Sequence, residues 1–302
     1  MTARPSMRIA ITGATGMVGR ALAPVLTTEG HTVVPVSRRP VARGIQWDPA
    51  SGALDGEAWE GLDAVIHLAG ESIADGRWSD RRKLELRESR VGPTTLLART
   101  LAGLRQPPTV LISASAVGIY GDRGDEVLTE ASEPAVDFLG QLAAAWESAA
   151  EPAARAGIRV VHPRFGVILS PSGGVLERLL TPFRLGLGGP LGEGWQYMSW
   201  IAIDDVLAGL RHLLSTESLH GAVNLTAPTP VRNEEFTETL GRVLRRPTLI
   251  PVPAFALRAL FGEMADALLL ASQRAEPAVL SASDYRFRYP RLEGALRHLL
   301  GR

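Results

Sequence analysis

Five runs in the first two-thirds of the chain are apolar almost without a break: "MRIAIT" (7–12), "TVVPVS" (32–37), "AVIHLAG" (64–70), "TVLISAS" (109–115) and "IRVVHPRFGVIL" (158–169). A strand with one wet face alternates apolar and polar side chains, whereas a strand covered on both faces does not. These runs therefore predict buried strands of a parallel sheet. Between them lie amphipathic stretches at 17–29, 80–104 and 139–156, long enough for right-handed crossover helices. Pro93 has no N–H to donate inside a helix, so the 80–104 segment should kink or split. Strand and helix alternate throughout, which predicts an α/β fold with a doubly wound parallel sheet.

Beyond about residue 170 the texture changes. "SPSGG" and "LGLGGPLGEGWQYMSW" are glycine-rich loops around aromatic residues. Residues 203–215 read as a helix, and "AVNLTA" (222–227) as a last strand that could rejoin the sheet. From about 228 a mainly helical tail begins. Asn233, with Glu235 and Glu238 beyond it, predicts a helix start with acidic residues near the positive helix end. The expected organisation is a first domain over 1–170, rejoined by 199–227. Residues 171–198 and 228–302 would then form a smaller, mainly helical C-terminal lobe.

Composition narrows the partners. The chain has 302 residues and no formal net charge, so nothing draws it to nucleic acid or anionic membrane. It has no cysteine, which excludes disulfides and thiolate metal sites. The histidines are scattered without the paired spacing of a metal helix, so no metal is expected. No apolar run approaches the ~18 residues of a membrane span, and the start runs into the first strand without a long apolar leader. A soluble, cytoplasmic protein with a small-molecule partner is expected, its oligomeric state open. Among the basic residues only Lys83 is a lysine.

"ITGATGMVGRAL" joins the first strand to the first helix. Gly13, Gly16 and Gly19 form a G-x-x-G-x-x-G variant of the dinucleotide-binding loop. Glycine can take the tight turn, let the backbone approach a pyrophosphate and let helix pack closely on strand. The helix N-terminus adds N–H groups and a positive dipole end. A purely structural turn is the competing reading. The second strand runs into Ser37, Arg38 and Arg39, with no acid before Asp48. NAD would be met there by a carboxylate on its ribose; guanidinium groups suit the 2′-phosphate of NADP. NADP(H) is the expected cofactor.

These features resemble the extended short-chain dehydrogenase/reductase superfamily of the NAD(P)-dependent epimerase/dehydratase type. "TGATGMVG" is similar to its cofactor loop, which implies cofactor contacts from Thr12, Gly13, Thr15, Gly16, Met17, Val18 and Gly19. "DAVIHLAG" resembles its fourth strand, where Leu68, Ala69 and Gly70 would pass the cofactor ribose. "ISASAVGIYG" resembles the fifth-strand end, with Ser115 as the active-site serine and Ser113 as a weaker match. "VVHPRFGVIL" resembles the sixth strand, whose Pro163 and following backbone at Arg164 would flank the nicotinamide. "GRW" (76–78), "SRVGPTTLL" (89–97), "PFRLGLGGPLGEGWQYMSWI" (182–201), "GAVNLTAPTPVRNEEF" (221–236) and "FGEMADALLLASQR" (261–274) are similar to one subgroup, epimerase-like proteins with a C-terminal domain of unknown function. The resemblance implies an NAD(P)-binding Rossmann fold with a C-terminal substrate lobe.

It also implies a catalytic set of Asn, Ser, Tyr and Lys, which this sequence does not reproduce. Arg90 stands where the asparagine would be, and Glu85 on the same segment could orient it or reach the ribose. Counting back from Glu147, a common glutamate of that helix, the Y-x-x-x-K positions hold Leu139 and Ala143. Tyr120, Tyr197, Tyr285 and Tyr289 are the only tyrosines, and none has a lysine four residues on. Tyr120 either reaches the pocket or packs under its loop. Asp137 is either a substitute acid–base group or, the better reading, an N-cap. His67 reads as a hydrogen-bonded core histidine. Arg184, Trp195, Gln196 and Trp200 fall where a substrate lid would be built, with Arg164 and Arg184 available to an anionic substrate; the aromatics could equally form a satellite core. Two functions follow: an NADP(H)-binding oxidoreductase or epimerase for a small carbonyl or hydroxyl compound, or a non-catalytic NADP(H)-binding sensor or regulator.

Overall fold

The computed structural model describes residues 6–302; residues 1–5, the part of the start read for an apolar leader that precedes Ser6, lie outside them. The first half of the chain runs β1 (Arg8–Thr12), α1 (Met17–Thr28), β2 (Thr32–Ser37), β3 (Ile45–Gln46) and β4 (Ala64–His67). Next come α2 (Asp80–Glu88), α3 (Val91–Ala102), β5 (Val110–Ser113), β6 (Ser115–Ala116) and β7 (Val127–Leu128). The 80–104 stretch is split at Ser89 and Arg90. Pro93 then lies in the first turn of α3, where a missing N–H forfeits no helix bond. Helices α4 (Phe138–Ser148) and α5 (Glu151–Arg155) lead to β8 (Arg159–Phe165) and β9 (Val167–Leu169).

The second half runs α6 (Gly174–Arg184), β10 (Tyr197–Met198), β11 (Trp200–Ala202), α7 (Ile203–Ser215), β12 (Gly221–Leu225) and β13 (Val231–Arg232). It closes with α8 (Asn233–Leu244), α9 (Ala254–Phe261), β14 (Arg274–Ala275), α10 (Ala278–Ala282) and α11 (Leu292–Leu300). Asn233 is the first residue of α8 rather than its cap, and its amide oxygen instead accepts from the Leu191 N–H at 2.8 Å.

The main sheet has the order β12-β8-β5-β4-β1-β2-β3, all parallel, with β6 added beside β8. Successive residues of the central strands enter different cores. Ile9, Ile11 and Ile66 pack with Leu22 and Leu26 of α1 and Leu210 of α7, while Ala10, Val65 and Leu111 pack with Leu97 and Leu101 of α3. Burial on both faces explains why these strands read as unbroken apolar runs. The run 158–169 is two strands, because a side chain at Gly166 would stand 2.4 Å from the Ser199 carbonyl oxygen. There the chain steps off the main sheet, and β9 pairs with β11 instead. A third core joins α6, α8 and α11. Trp200 is fully buried in it and donates its indole N–H to the Thr229 carbonyl at 3.0 Å, so its side chain is core rather than substrate lid.

Candidate functional site

Strand order reverses direction at β1, with α1 leading to β2 on one side and β4 lying on the other. In doubly wound sheets such a point leaves a crevice beyond the carboxyl ends of the strands. Thr12, His67 and Ser113 end β1, β4 and β5 at that edge. Gly13 takes φ +68°, and a Cβ there would lie 2.9 Å from the Leu68 backbone. Gly19 has even less room, 2.4 Å from the Gly13 carbonyl oxygen, so the first turn of α1 lies directly on the loop. Gly16 caps α1, with Thr15 and Gly16 exposed and Met17 and Val18 half-buried in the first turn. Met17 also touches the "SPSGG" loop, its sulfur 3.0 Å from where Gly173 would carry a Cβ.

Beneath the loop a chain of hydrogen bonds fixes the backbone. The Thr12 hydroxyl accepts from the N–H groups of Leu68 and Ala69, both at 3.2 Å. Its lone pairs are thereby used, so its own hydrogen goes to His67 Nδ1 at 2.7 Å. His67 then carries its proton on Nε2 and donates to the Thr94 hydroxyl at 3.0 Å, which also accepts from the Trp146 indole. Burial lowers the His67 pKa to about 4. It is the neutral core histidine expected from the sequence. At the end of β2, the Ser37 hydroxyl accepts the Arg39 N–H at 3.2 Å. Arg38 and Arg39 are exposed, and neither guanidinium has an ion pair or hydrogen bond among the described residues.

Ser115 sits in a buried polar network that the sequence did not reveal. Its hydroxyl donates to Glu147 Oε1 at 2.6 Å, and Arg164 grips both oxygens of that carboxylate at 2.8 and 2.9 Å. Arg164 also donates to the Tyr120 hydroxyl at 2.9 Å, and Tyr120 donates to Asn224 Oδ1 at 2.7 Å. Burial alone would push the Glu147 carboxyl up, but the hydrogen bonds and charge of Arg164, with the Ser115 hydroxyl, hold it below its ordinary value. One expectation changes here and two open readings are decided. Arg164 is committed to a buried ion pair and is not offered to an anionic substrate. Tyr120 is fully buried, and burial raises its phenol pKa, so it packs under the loop rather than handling protons. Asp137 accepts the Gly140 N–H at 2.7 Å as the N-cap of α4. Ser113, by contrast, has a buried hydroxyl with no partner among the described residues.

Arg90 is likewise occupied. It donates to the carbonyls of Glu71 at 2.6 Å and Leu86 at 3.1 Å and lies over the Trp146 ring at 5.1 Å. Burial lowers its pKa to about 10, which leaves it charged at neutrality, and its side chain packs 3.4 Å from where Gly70 would carry a Cβ. The guanidinium therefore braces the loop after β4. Glu85 does not orient it, because Glu85 faces Arg81 and Arg82 on its own helix. Pro163 is buried in β8 opposite Val223.

The two positions of the expected dyad are packed. Leu139 is 8% exposed, in a cluster with Trp78, Leu86 and Met264, and Ala143 is 5% exposed, in another with Val117, Tyr120 and Ala275. Met264 and Ala275 both follow α9 in the chain, so the tail of the chain shares both clusters with α4. Of the residues expected in a substrate lid, Gln196 donates to the Leu191 and Leu269 carbonyls, which ties two distant segments of the chain together. Arg184 is exposed at the end of α6, and Trp195 is 65% exposed. Glu147, at the centre of the Ser115 network, was not among the residues expected to build the site. It is the only carboxylate of α4, but β8 carries Arg159 as well as Arg164, so no pair of lone charges in the sequence pointed to the contact.

A family model described as the NAD dependent epimerase/dehydratase family matches residues 9–225, and a domain of unknown function (DUF1731) matches residues 252–299. The chain is 43% identical over 290 residues to an epimerase family protein of Mycobacterium tuberculosis, covering 95% of this chain and 96% of that one. The crystal structure of human epimerase family protein SDR39U1 with NADPH is similar at a TM-score of 0.90 and 36% identity, covering 98% of this chain and 99% of that one. A nucleoside-diphosphate sugar epimerase from Corynebacterium glutamicum is similar at a TM-score of 0.84 and 40% identity, with 98% of this chain and 59% of that one covered. No helix among the described residues is long and apolar enough to cross a membrane.

Proposed function

The chain belongs to the NAD-dependent epimerase/dehydratase family, and from that membership we propose that it binds NADP(H) at the carboxyl edge of the sheet and acts as an atypical oxidoreductase or epimerase on a small carbonyl or hydroxyl compound. The observation that carries this reading is the glycine loop, where neither Gly13 nor Gly19 has space for a side chain and the start of α1 stands open beside it. Gly13, Gly16 and the first turn of α1 would hold the pyrophosphate, and the backbone at Leu68–Gly70 the ribose. The exposed pair Arg38 and Arg39 suits a 2′-phosphate, and a human relative at 36% identity was crystallised with NADPH. The bound nicotinamide supplies hydride chemistry; the chain has to orient it and manage one proton. Ser115, whose hydrogen is held by Glu147, is set to accept a hydrogen bond rather than donate one. That favours contact with a substrate hydroxyl over stabilisation of a carbonyl oxyanion.

Separate calorimetric titrations with NADPH and NADH test the cofactor. NADPH should bind at least about tenfold tighter, and Arg38→Ser with Arg39→Ser should remove the difference, since charge-assisted phosphate contacts are each worth about 1.5–3 kcal/mol. Equal affinities in the unaltered protein would sink the reading. A second reading, a cofactor-binding sensor or regulator without turnover, is favoured by the packed Leu139 and Ala143. NADPH oxidation that is lost in Ser115→Ala selects the enzyme; tight NADPH binding with no oxidation across a panel of carbonyl compounds selects the sensor.

A further inference from the structure

Zero net charge implied no attraction to an anionic surface, but apolar exposure and unpaired positive charge gather where the ends of α6 and α8 meet α9. The segments 185–192 and 245–252 follow those two helices and run side by side, with Leu191 bridged to Val252. The Val252 N–H donates to the Pro190 carbonyl and the Gly192 N–H to the Val252 carbonyl, each at 2.9 Å. A Cβ on Gly189 would strike the Ile250 carbonyl oxygen, and one on Gly186 would lie 3.6 Å from Pro247. Helix α9 starts at Ala254, whose Cβ lies 3.8 Å from where Gly192 would carry one. Leu185, Leu187, Leu249, Ile250 and Phe255 belong to these segments and the first turn of α9. Each is at least half exposed, Leu249 at 83% and Phe255 at 74%. Single exposed apolar side chains are ordinary, whereas five on adjoining segments mark a surface that meets something.

Three arginines stand in the same place. The Arg246 guanidinium donates to the Arg184 carbonyl at 2.8 Å, which sets the end of α6 against the end of α8. Arg245 caps α8 with φ +56°. All three side chains are exposed. Among the described residues, Arg184 and Arg245 have neither an ion pair nor a side-chain hydrogen bond, and Arg246 has only that carbonyl. Their neighbours in the chain are compensated: Arg178 pairs with Asp75, Arg242 with Glu293 and Arg258 with Asp266. Over 184–194 and 245–252 the one carboxylate is Glu193, so the three guanidinium groups leave the patch positive.

We propose that this face rests on an anionic lipid surface, with Leu185, Leu187, Leu249, Ile250 and Phe255 entering the boundary between headgroups and acyl chains and Arg184, Arg245 and Arg246 meeting the negative headgroups. The contact is peripheral, and its strength comes from buried apolar area together with the negative surface potential. Charge argues against a second copy as the occupant. A two-fold contact through one patch would set these arginines against their own copies, and like charges brought together cost affinity. Composition argues against a protein partner, since protein interfaces are anchored by tyrosine, tryptophan and arginine and are poor in leucine at their centres.

The probes are vesicles of phosphatidylcholine alone and of phosphatidylcholine with phosphatidylglycerol in about equal parts, and co-sedimentation of the full chain gives the readout. The unaltered chain should partition onto the mixed vesicles at least about tenfold more strongly than onto the neutral ones, and about 0.5 M salt should remove most of the difference. Replacing Arg184, Arg245 and Arg246 together by Gln should cost about a hundredfold on mixed vesicles, since each arginine near such a surface contributes roughly fivefold. Leu187→Ser with Leu249→Ser should cost about tenfold or more. Val136→Ser, at an exposed apolar position on the segment before α4, should cost nothing. All these side chains are exposed, so thermal melting should stay within a few degrees of the unaltered chain, which shows that the variants are folded. The proposal is overturned if the unaltered chain binds neither vesicle, if it binds both equally, or if either patch variant binds as well as the unaltered chain. Sedimentation velocity covers the other occupant: a dimer that disappears in Leu187→Ser with Leu249→Ser gives the face to a second copy and overturns the proposal. NADPH takes no part in these measurements, so their outcome is independent of the cofactor reading.

Discussion

The loop after β1 and the first two turns of α4 flank the same end of the sheet, and they are built from opposite chemistry. Around the loop, side chains are absent where a ligand would approach, and a buried hydroxyl, imidazole and amide N–H groups fix the backbone from below. On α4, Leu139 and Ala143 are covered by apolar side chains, among them Met264 and Ala275 from the tail of the chain. Holding a dinucleotide is largely a task for backbone conformation. Moving a proton is a task for side chains, and those have given way to packing. A cofactor site and a reaction site can therefore part company within one fold.

The comparison is broken most severely at the polar edge of α4. Arg164→Met leaves the Glu147 carboxylate buried without its cation and should cost about 3–5 kcal/mol in urea denaturation. Adding Glu147→Gln should recover part of the loss; if the double variant is as unstable as the single one, the ion pair is not what Arg164 supplies. Restoring the dyad comes next. Leu139→Tyr with Ala143→Lys forces bulk and an unpaired charge into two packed clusters, so it should cost about 2–4 kcal/mol and give no gain in NADPH oxidation. A stable double variant with new turnover would show that α4 is still a reaction surface.

On the loop side, Gly13→Ala adds about 1–2 kcal/mol of left-handed backbone strain to a contact with Leu68. Thermal melting should fall by a few degrees and NADPH affinity by more than about tenfold, a loss far larger than any change on the α4 side should produce. The smallest effect is a pH slope. Burial depresses the folded His67 pKa to about 4 from 6.5, so the unfolded chain takes up the proton first as pH falls. Its contribution to stability is complete above pH 6.5 and is lost progressively toward pH 4. Unfolding midpoints between pH 7 and 5 should fall in the unaltered protein and fall less in His67→Gln. Equal slopes would mean that His67 does not carry this dependence.

The central sheet was legible because burial on both faces leaves an unmistakable apolar run, as in "AVIHLAG". Pro93 and Asp137 marked a helix break and a helix start through chemistry local to each. The short strands β7, β10, β13 and β14 were not legible, since two residues carry no periodicity. Trp195 and Trp200 lie five residues apart in one glycine-rich sequence, yet one is mostly exposed and the other fully buried. Only the packing of α6, α8 and α11 around Trp200 separates them. The Ser115–Glu147–Arg164 contact joins three elements, and no local pattern announces such a meeting. That positions 139 and 143 hold no tyrosine or lysine was plain from the sequence; that the tail packs over them was not.

Leu139 and Ala143 stand one helical turn apart but are covered by different parts of the tail, the Met264 region for one and the Ala275 region for the other. A phenol at 139 displaces the first contact and an ammonium at 143 the second, and neither alone makes a dyad. Every single-step path back lowers stability before any chemistry can be selected. With the tail packed on α4, a change of ligand is open to this chain at far lower cost in packing than the building of a Tyr–Lys pair.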